Sequence, residues 1–288
     1  MIVDQSYRDN VGYIVAKGQA EDGSGLSSPI GTVFFIIVQT GNVGVYYAVT
    51  CAHVINSTGQ DQAPSLHIRV NKRDGAYCEI PSPSSEWKLS TDSDVAITRF
   101  KVGRDLKVWA YPIMEHGHFS QPSLGQSVFM AGLFVPVPGE KRVEALVRSG
   151  TVARESAEVP VTVNLYTKET KTVEACLIQA TAWGGESGSP VFFYEPETHI
   201  ADGWGDTAYV SSSARVVVRI NPTLMGLLHG HFPIEEDGTN PNSGIAVVIP
   251  RRKIVELLCC DEFNEERQRL SEAEVKRRTT RIIQDSSK

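Results

Sequence analysis

The chain has 288 residues, 41% of them hydrophobic, and a formal net charge of −6. Such a chain can bury a large core, and mild acidity without a Lys/Arg stripe in its body argues against nucleic acid as the main partner. No stretch approaches the roughly 20 apolar residues of a membrane helix, and the opening MIVDQSYRDN has acids where a secretory signal would be cationic and then apolar, so no membrane partner is expected.

Residues 11–16 read as a first strand and EDGSGLSSP, at 21–29, as a loop. Strands are expected at 32–39 and 43–50, joined by the hairpin signal Gly41-Asn42. Short strands follow at 66–70 and 76–80 around an Asp74-Gly75 turn, and PSPSS at 81–85 is a solvated loop. Around 112–125 the chain is rich in Pro, Gly, His and Ser and the strand pattern pauses, which places a boundary between two halves there. Strands then recur at 127–133, 143–153, 159–167, 175–180, 190–194, 215–228 and 245–249. Short strands with frequent turns and almost no helical periodicity predict an all-β protein, a barrel or a sandwich.

After Pro250, Ile254, Val255, Leu257 and Leu258 fall at helical spacing and predict a helix over 251–258. The charged remainder contains Ser271 followed by Glu274, a capping box that would open a surface helix; the alternative is a docking tail for a regulatory protein partner. The organisation expected is therefore 1–28 leading in, 29–120 and 121–250 as the two halves, and 251–288 as helix and tail.

The five cysteines, Cys51, Cys78, Cys176, Cys259 and Cys260, are odd in number and lack CxxC spacing, which favours a reducing, cytoplasmic setting. His116 and His118 have no cysteine or acid at ligand spacing, so they read as loop histidines, and neither a metal nor a cofactor is expected.

Three stretches carry chemistry. GGESGSP at 184–190 holds Ser187 among glycines ahead of the apolar run Val191-Phe192-Phe193, so its hydroxyl can be exposed while the Gly185 and Ser187 N–H groups converge on a developing oxyanion. YYAVTCAHVI at 46–55 delivers His53 at the end of an apolar strand, and a neutral imidazole beside a serine is the usual general base. DSDVAITRF at 92–100 supplies an aspartate, costly in a buried strand unless it is hydrogen-bonded, as by a histidine N–H. Asp92 and Asp94 would face the same side of a strand, so alternation does not choose between them; Asp94 adjoins the apolar Val95-Ala96-Ile97.

In this order, TCAHV, SDVAI and GGESGSP resemble the three motifs of the chymotrypsin-like (trypsin-fold) serine peptidases, particularly the bacterial branch that includes glutamyl endopeptidases. The resemblance runs from PIGTVFF at 29–35 to IAVV at 245–248 and the helix beyond, leaving out both ends. It implies two packed antiparallel six-stranded β-barrels with a C-terminal helix, and a protein or peptide substrate lying between the barrels. Residue by residue it implies His53 as base, Asp94 as its orienter, Ser187 as nucleophile, and the Gly185 and Ser187 amides as oxyanion hole.

It also implies a pocket with Thr181 at its base and GLLHGH, 226–231, as its wall. No acid stands at that base, which disfavours Arg or Lys before the cut. The glutamyl branch implies instead that His229, beside His231 and helped by Thr181, reads Glu or Gln. Two departures stand against it: His229 falls one position later than the count from Gly226, and Ala182 stands where threonine is frequent. The alternative is a small or apolar pocket edged by His229 and His231. Activated digestive members seat a newly cut N-terminal amine on the acid before the nucleophile, here Glu186; no basic residue followed by an Ile-Val-Gly-Gly start is found upstream, which implies competence as synthesised or control in some other way. A catalytically silent module that binds extended peptides by strand addition, and an esterase with the same triad, are the other functions these residues allow.

Overall fold

The structure, a computed structural model, describes residues 3–19, 25–57, 65–113, 121–201, 215–233 and 242–286. His116, His118 and the expected boundary at residue 120 lie outside them.

Strand β2 (Gly25–Thr40) is the axis of the first half, pairing antiparallel with β1 (Val11–Gln19) on one side and β3 (Val43–Thr50) on the other. Its Val33, Phe34, Phe35 and Ile36 are all buried, as a strand covered on both faces requires. Gly41, at φ 58, closes the expected hairpin in a left-handed conformation that glycine adopts without steric cost. The sheet continues through β4 (Ser65–Asn71), β5 (Tyr77–Pro81), β6 (Lys88–Leu89) and β7 (Ala96–Arg99). Its order is β5-β4-β1-β2-β3-β7-β6, and β8 (Tyr111–Pro112) lies parallel to β2. The first six-stranded barrel is thus corrected to an eight-stranded sheet. Among the described residues its edge strands, β5 and β6, do not pair, and β6 has two residues.

The second half does close: β9 (Ser127–Gly132), β10 (Leu146–Asn164), β11 (Glu169–Gln179), β12 (Pro190–Ala201), β13 (Arg215–Pro233) and β14 (Asn242–Pro250) form a barrel in the order β10-β11-β14-β13-β12-β9. The strands expected at 143–153 and 159–167 are one strand, β10, because register shifts between Val152 and Ala157 absorb the break in alternation. One buried cluster spans both halves, with Phe34 and Ile36 from the first and Phe129 and Phe192 from the second. Tyr7 is wedged edge-on against Phe129 and Phe192, at 5.4 and 4.9 Å between ring centroids. The segment before β1 thereby pins the seam.

Beside two short 3-10 turns, Gln5–Tyr7 and Ser84–Glu86, the described residues form three α-helices: α1 (Ala52–Ile55), α2 (Arg251–Leu258) and α3 (Asp261–Ser286). The capping box falls inside α3, whose first turn instead holds Asp261 and Glu262, acids that favour a helix N-terminus. Its first half docks: Phe263 lies edge-on to Tyr47 at 5.1 Å, and Arg267, 2% exposed, donates to Tyr47 Oη and the Leu258 carbonyl. Residues 275–280 are exposed, so only the outer half is the expected surface helix. Among the described residues no helix is long and apolar enough to cross a membrane.

Candidate active site

β3 ends at Thr50, and Cys51 leads into α1, a single turn that carries His53. His53 is bound twice to Asp94: its backbone N–H donates to Oδ1 at 2.9 Å, and its Nδ1 lies 2.7 Å from Oδ2. Asp94 has no exposed surface and lies just before β7. Burial would raise its pKa, but the His53 charge and hydrogen bonds from His229 and His53 hold it well below the usual carboxylate range. Asp92 is elsewhere, on the surface with Ser90 and Lys253. Strand alternation did not separate the two because 91–94 is a bend, not a strand.

His229 occupies a place the sequence did not foresee. Its Nδ1 lies 2.6 Å from the same Asp94 Oδ2, and its ring meets that of His53 edge-on at 4.9 Å. The expected placement on a pocket wall is therefore corrected. The cause is a register shift between Leu228 and Gly230 in the β13–β14 pairing, and such a bulge re-aims a side chain. The His229 carbonyl accepts the Ser187 hydroxyl at 2.8 Å. His229 thus joins the serine loop to Asp94, while no hydrogen bond runs between Ser187 and His53 among the described residues.

The serine loop is held by Thr32 of β2, which the sequence offered only as part of an apolar strand. Thr32 N–H donates to the Ser187 carbonyl at 2.9 Å and its hydroxyl to the Gly185 carbonyl at 2.9 Å. Gly188, at φ 88, lies where a Cβ would overlap the Thr32 carbonyl, so only glycine allows this approach. Gly185 has φ 93, and the Gly185 and Ser187 N–H groups have no acceptor among the described residues. Two unused amides beside a serine hydroxyl are equipped to receive an anionic oxygen.

Residues 31–196, more than half of the chain, match the family model of the trypsin-like peptidase domain. The chain belongs to this family. It is a trypsin-like serine peptidase. The match is to the family as a whole and does not select the glutamyl branch. Among solved structures, the MamO protease domain of Magnetospirillum magneticum aligns over 87% of this chain and 96% of its own, at 14% identity and a TM-score of 0.48. The protease of tobacco vein mottling virus aligns over 91% and 87%, at 15% identity and 0.44. A thermostable serine protease, AL20, from an extremophilic microorganism aligns over 85% and 92%, at 14% and 0.43. No curated protein sequence matches this chain.

In this peptidase the acid before Ser187 is met by a cation from the chain's interior. Glu186 is 2% exposed, accepts Arg148 Nε at 2.5 Å on one oxygen and accepts the Trp183 N–H at 2.7 Å on the other. Burial raises its pKa by more than the Trp183 N–H and Arg148 lower it. Arg148 carries no local signal, since it is one basic residue of an alternating strand. Removing one member of a buried pair strands the other, at about 3 to 5 kcal/mol. Arg148→Ala is therefore expected to lower the unfolding free energy by about 3 kcal/mol in urea melts and to cut turnover, Arg148→Lys restoring part of both. Unchanged stability in Arg148→Ala would mean that the pair does not hold the loop.

Thr181 is exposed and lines, with Gly150, Ala180 and Gly244, a groove whose walls include neither Ser187 nor His229. The structure does not bring Thr181 and His229 together, and His231 is half-buried further along β13. Cys51 is fully buried with its Sγ 3.2 Å from the Leu228 carbonyl, and burial and Asp94 push its thiol pKa well up.

Proposed function

We propose that the protein is an endopeptidase that cleaves peptide bonds through an acyl-enzyme formed on Ser187. The observation that carries this reading is the doubly bound His53–Asp94 pair, buried and joined through His229 to a serine hydroxyl flanked by two unused amides. With its Nδ1–H committed to Asp94, His53 presents Nε2 as proton acceptor. Ser187 turns about its Cα–Cβ bond from the His229 carbonyl to His53, loses its proton and attacks the scissile carbonyl. The Gly185 and Ser187 amides receive the oxyanion, and His53 returns the proton to the leaving amine. Water then repeats the sequence on the ester, with protein or peptide as substrate. The five cysteines, none in a disulfide, support a reducing setting as part of the same reading.

The resting Ser187–His229 bond is the observation that favours the second reading, a silent peptide-binding module. A fluorophosphonate probe separates the two. Labelling that is lost in Ser187→Ala supports the peptidase; an unlabelled wild type supports the module.

Within the peptidase reading His229 orients Asp94 and does not read the substrate. His229→Ala is expected to lower kcat by up to about 10² with little change in KM, since small misplacements of a catalytic group cost that much. The loss should be equal for peptides with Glu, Gln or Leu before the cut, in a library profile. A loss confined to Glu and Gln would return His229 to the pocket. A preference for Glu or Gln, if the profile shows one, then rests on other residues, His231 first.

A further inference from the structure

We propose that the cluster around Asp94 is also a binding site for a soft divalent cation, Zn²⁺ as the type, and that occupancy switches the peptidase off. Cys51, His53, Asp94 and His229 each offer one donor atom, and these atoms all lie within 4.8 Å of one another. It is the one such group among the described residues. Cys51, His53 and Asp94 are buried, and His229 is half-buried. Neighbours set the donor directions: Cys51 Sγ lies 3.2 Å from the Leu228 carbonyl, and both imidazoles turn Nδ1 to Asp94 Oδ2, at 2.7 and 2.6 Å.

One sulfur, two imidazole nitrogens and one carboxylate oxygen form a donor set that suits Zn²⁺ and disfavours Mg²⁺ and Ca²⁺, which take oxygen. Donors around tetrahedral Zn²⁺, with bonds of about 2.0 to 2.3 Å, stand about 3.3 to 3.8 Å apart. The two imidazoles therefore need to withdraw from Asp94 by less than about 1 Å. Thiolate binding releases the Cys51 proton to solvent, and the imidazoles bind as neutral rings.

The consequence for the base follows from the tautomer. An imidazole bound to a metal through Nδ1 carries its one proton on Nε2, the nitrogen that must be free to take the proton of Ser187. The ion thereby imposes the unreactive tautomer and also takes Asp94 from its role. Sequence spacing did not show this site, because the donors are scattered from residue 51 to 229 and meet only where the two halves join.

The inhibition rests on the peptidase reading; the binding does not, so binding is measured on the full-length Ser187→Ala chain by calorimetry with ZnCl₂. One Zn²⁺ per chain is expected at this site, with affinity falling at least tenfold in Cys51→Ser and in His229→Ala placed in the same background. Co²⁺ gives a readout on the otherwise intact chain: a thiolate-to-metal charge-transfer band, absent from Cys51→Ser. In the wild type Zn²⁺ should inhibit turnover reversibly by chelator, and in Cys51→Ser the inhibition constant, taken against that variant's own metal-free rate, should rise at least tenfold. No binding, binding insensitive to either substitution, or no thiolate band overturns the site. Zn²⁺ bound as expected to a chain that cleaves no peptide leaves the site standing and removes the peptidase reading, and the reverse result removes the site alone.

Discussion

Ser187→Ala is expected to abolish peptide turnover while leaving the melting temperature of the protein near that of the wild type. The hydroxyl makes one hydrogen bond, to the His229 carbonyl, whereas the loop is held by groups the substitution does not touch: the Thr32 contacts, the Arg148–Glu186 pair and the Gly188 N–H on the Leu228 carbonyl. His53→Ala is expected to be as damaging to turnover, because it removes the proposed base and leaves the buried Asp94 with one imidazole partner instead of two. Members of such a triad act as a unit, and loss of the serine or histidine alone costs on the order of 10⁶ in kcat. Steady-state kinetics of a fluorogenic peptide checks this. Activity in Ser187→Ala above about a thousandth of wild type would exceed what an oxyanion hole and binding leave behind and would remove Ser187 from the nucleophile role.

The second large effect is Asp94→Asn, expected to lower kcat by about 10⁴. Asp94 accepts three hydrogen bonds, two on Oδ2 from imidazoles and one on Oδ1 from the His53 N–H. Asparagine has one acceptor oxygen, so its NH₂ must oppose a donor or an imidazole must move its proton to the other nitrogen. Asp92→Asn breaks only a surface contact with Lys253 and is expected to change turnover little. The same residue predicts a pH dependence. A carboxyl whose folded pKa lies below its unfolded value contributes stability at pH above the unfolded value, and this is lost as pH falls through that value toward the folded one. Asp94 is shifted in that direction, so the unfolding free energy should fall below about pH 5, and less so in Asp94→Asn. Denaturant melts between about pH 3 and pH 7 test the slope; parallel curves for the two proteins would show that Asp94 is not held as an ion.

Several features of this molecule are written locally. The β2–β3 hairpin follows from an apolar run, Gly41-Asn42 and a second apolar run, because a turn residue with positive φ and strand alternation are properties of neighbouring residues. The helix over 251–258 follows from the spacing of Ile254, Val255 and Leu258, and it forms with those bounds. The stretches holding His53, Asp94 and Ser187 stand out in the sequence for a related reason: each of these residues sits beside the glycines or small apolar residues that shape its own turn. The structure then joins His53 to Asp94 directly and Ser187 to Asp94 through His229.

What only the tertiary structure decided depends on pairing between residues distant in sequence. Alternation assigns a side chain to one face of a strand, but a single bulge reverses that assignment, and the β13–β14 bulge sends His229 to Asp94 instead of a pocket wall. Arg148 and Glu186 are 38 residues apart and meet because the barrel closes, so no local pattern marks the arginine. Thr32 looks like one more residue of an apolar strand until its hydroxyl is found on the Gly185 carbonyl of the other half. The capping box at Ser271 and Glu274 lost to a longer helix because Phe263 and Arg267 are buried against the first sheet, and that packing outweighs a cap's contribution of about 1 kcal/mol. Local sequence determines which conformations each segment favours; barrel closure and the seam between the halves determine which charges and donors are brought within reach of one another.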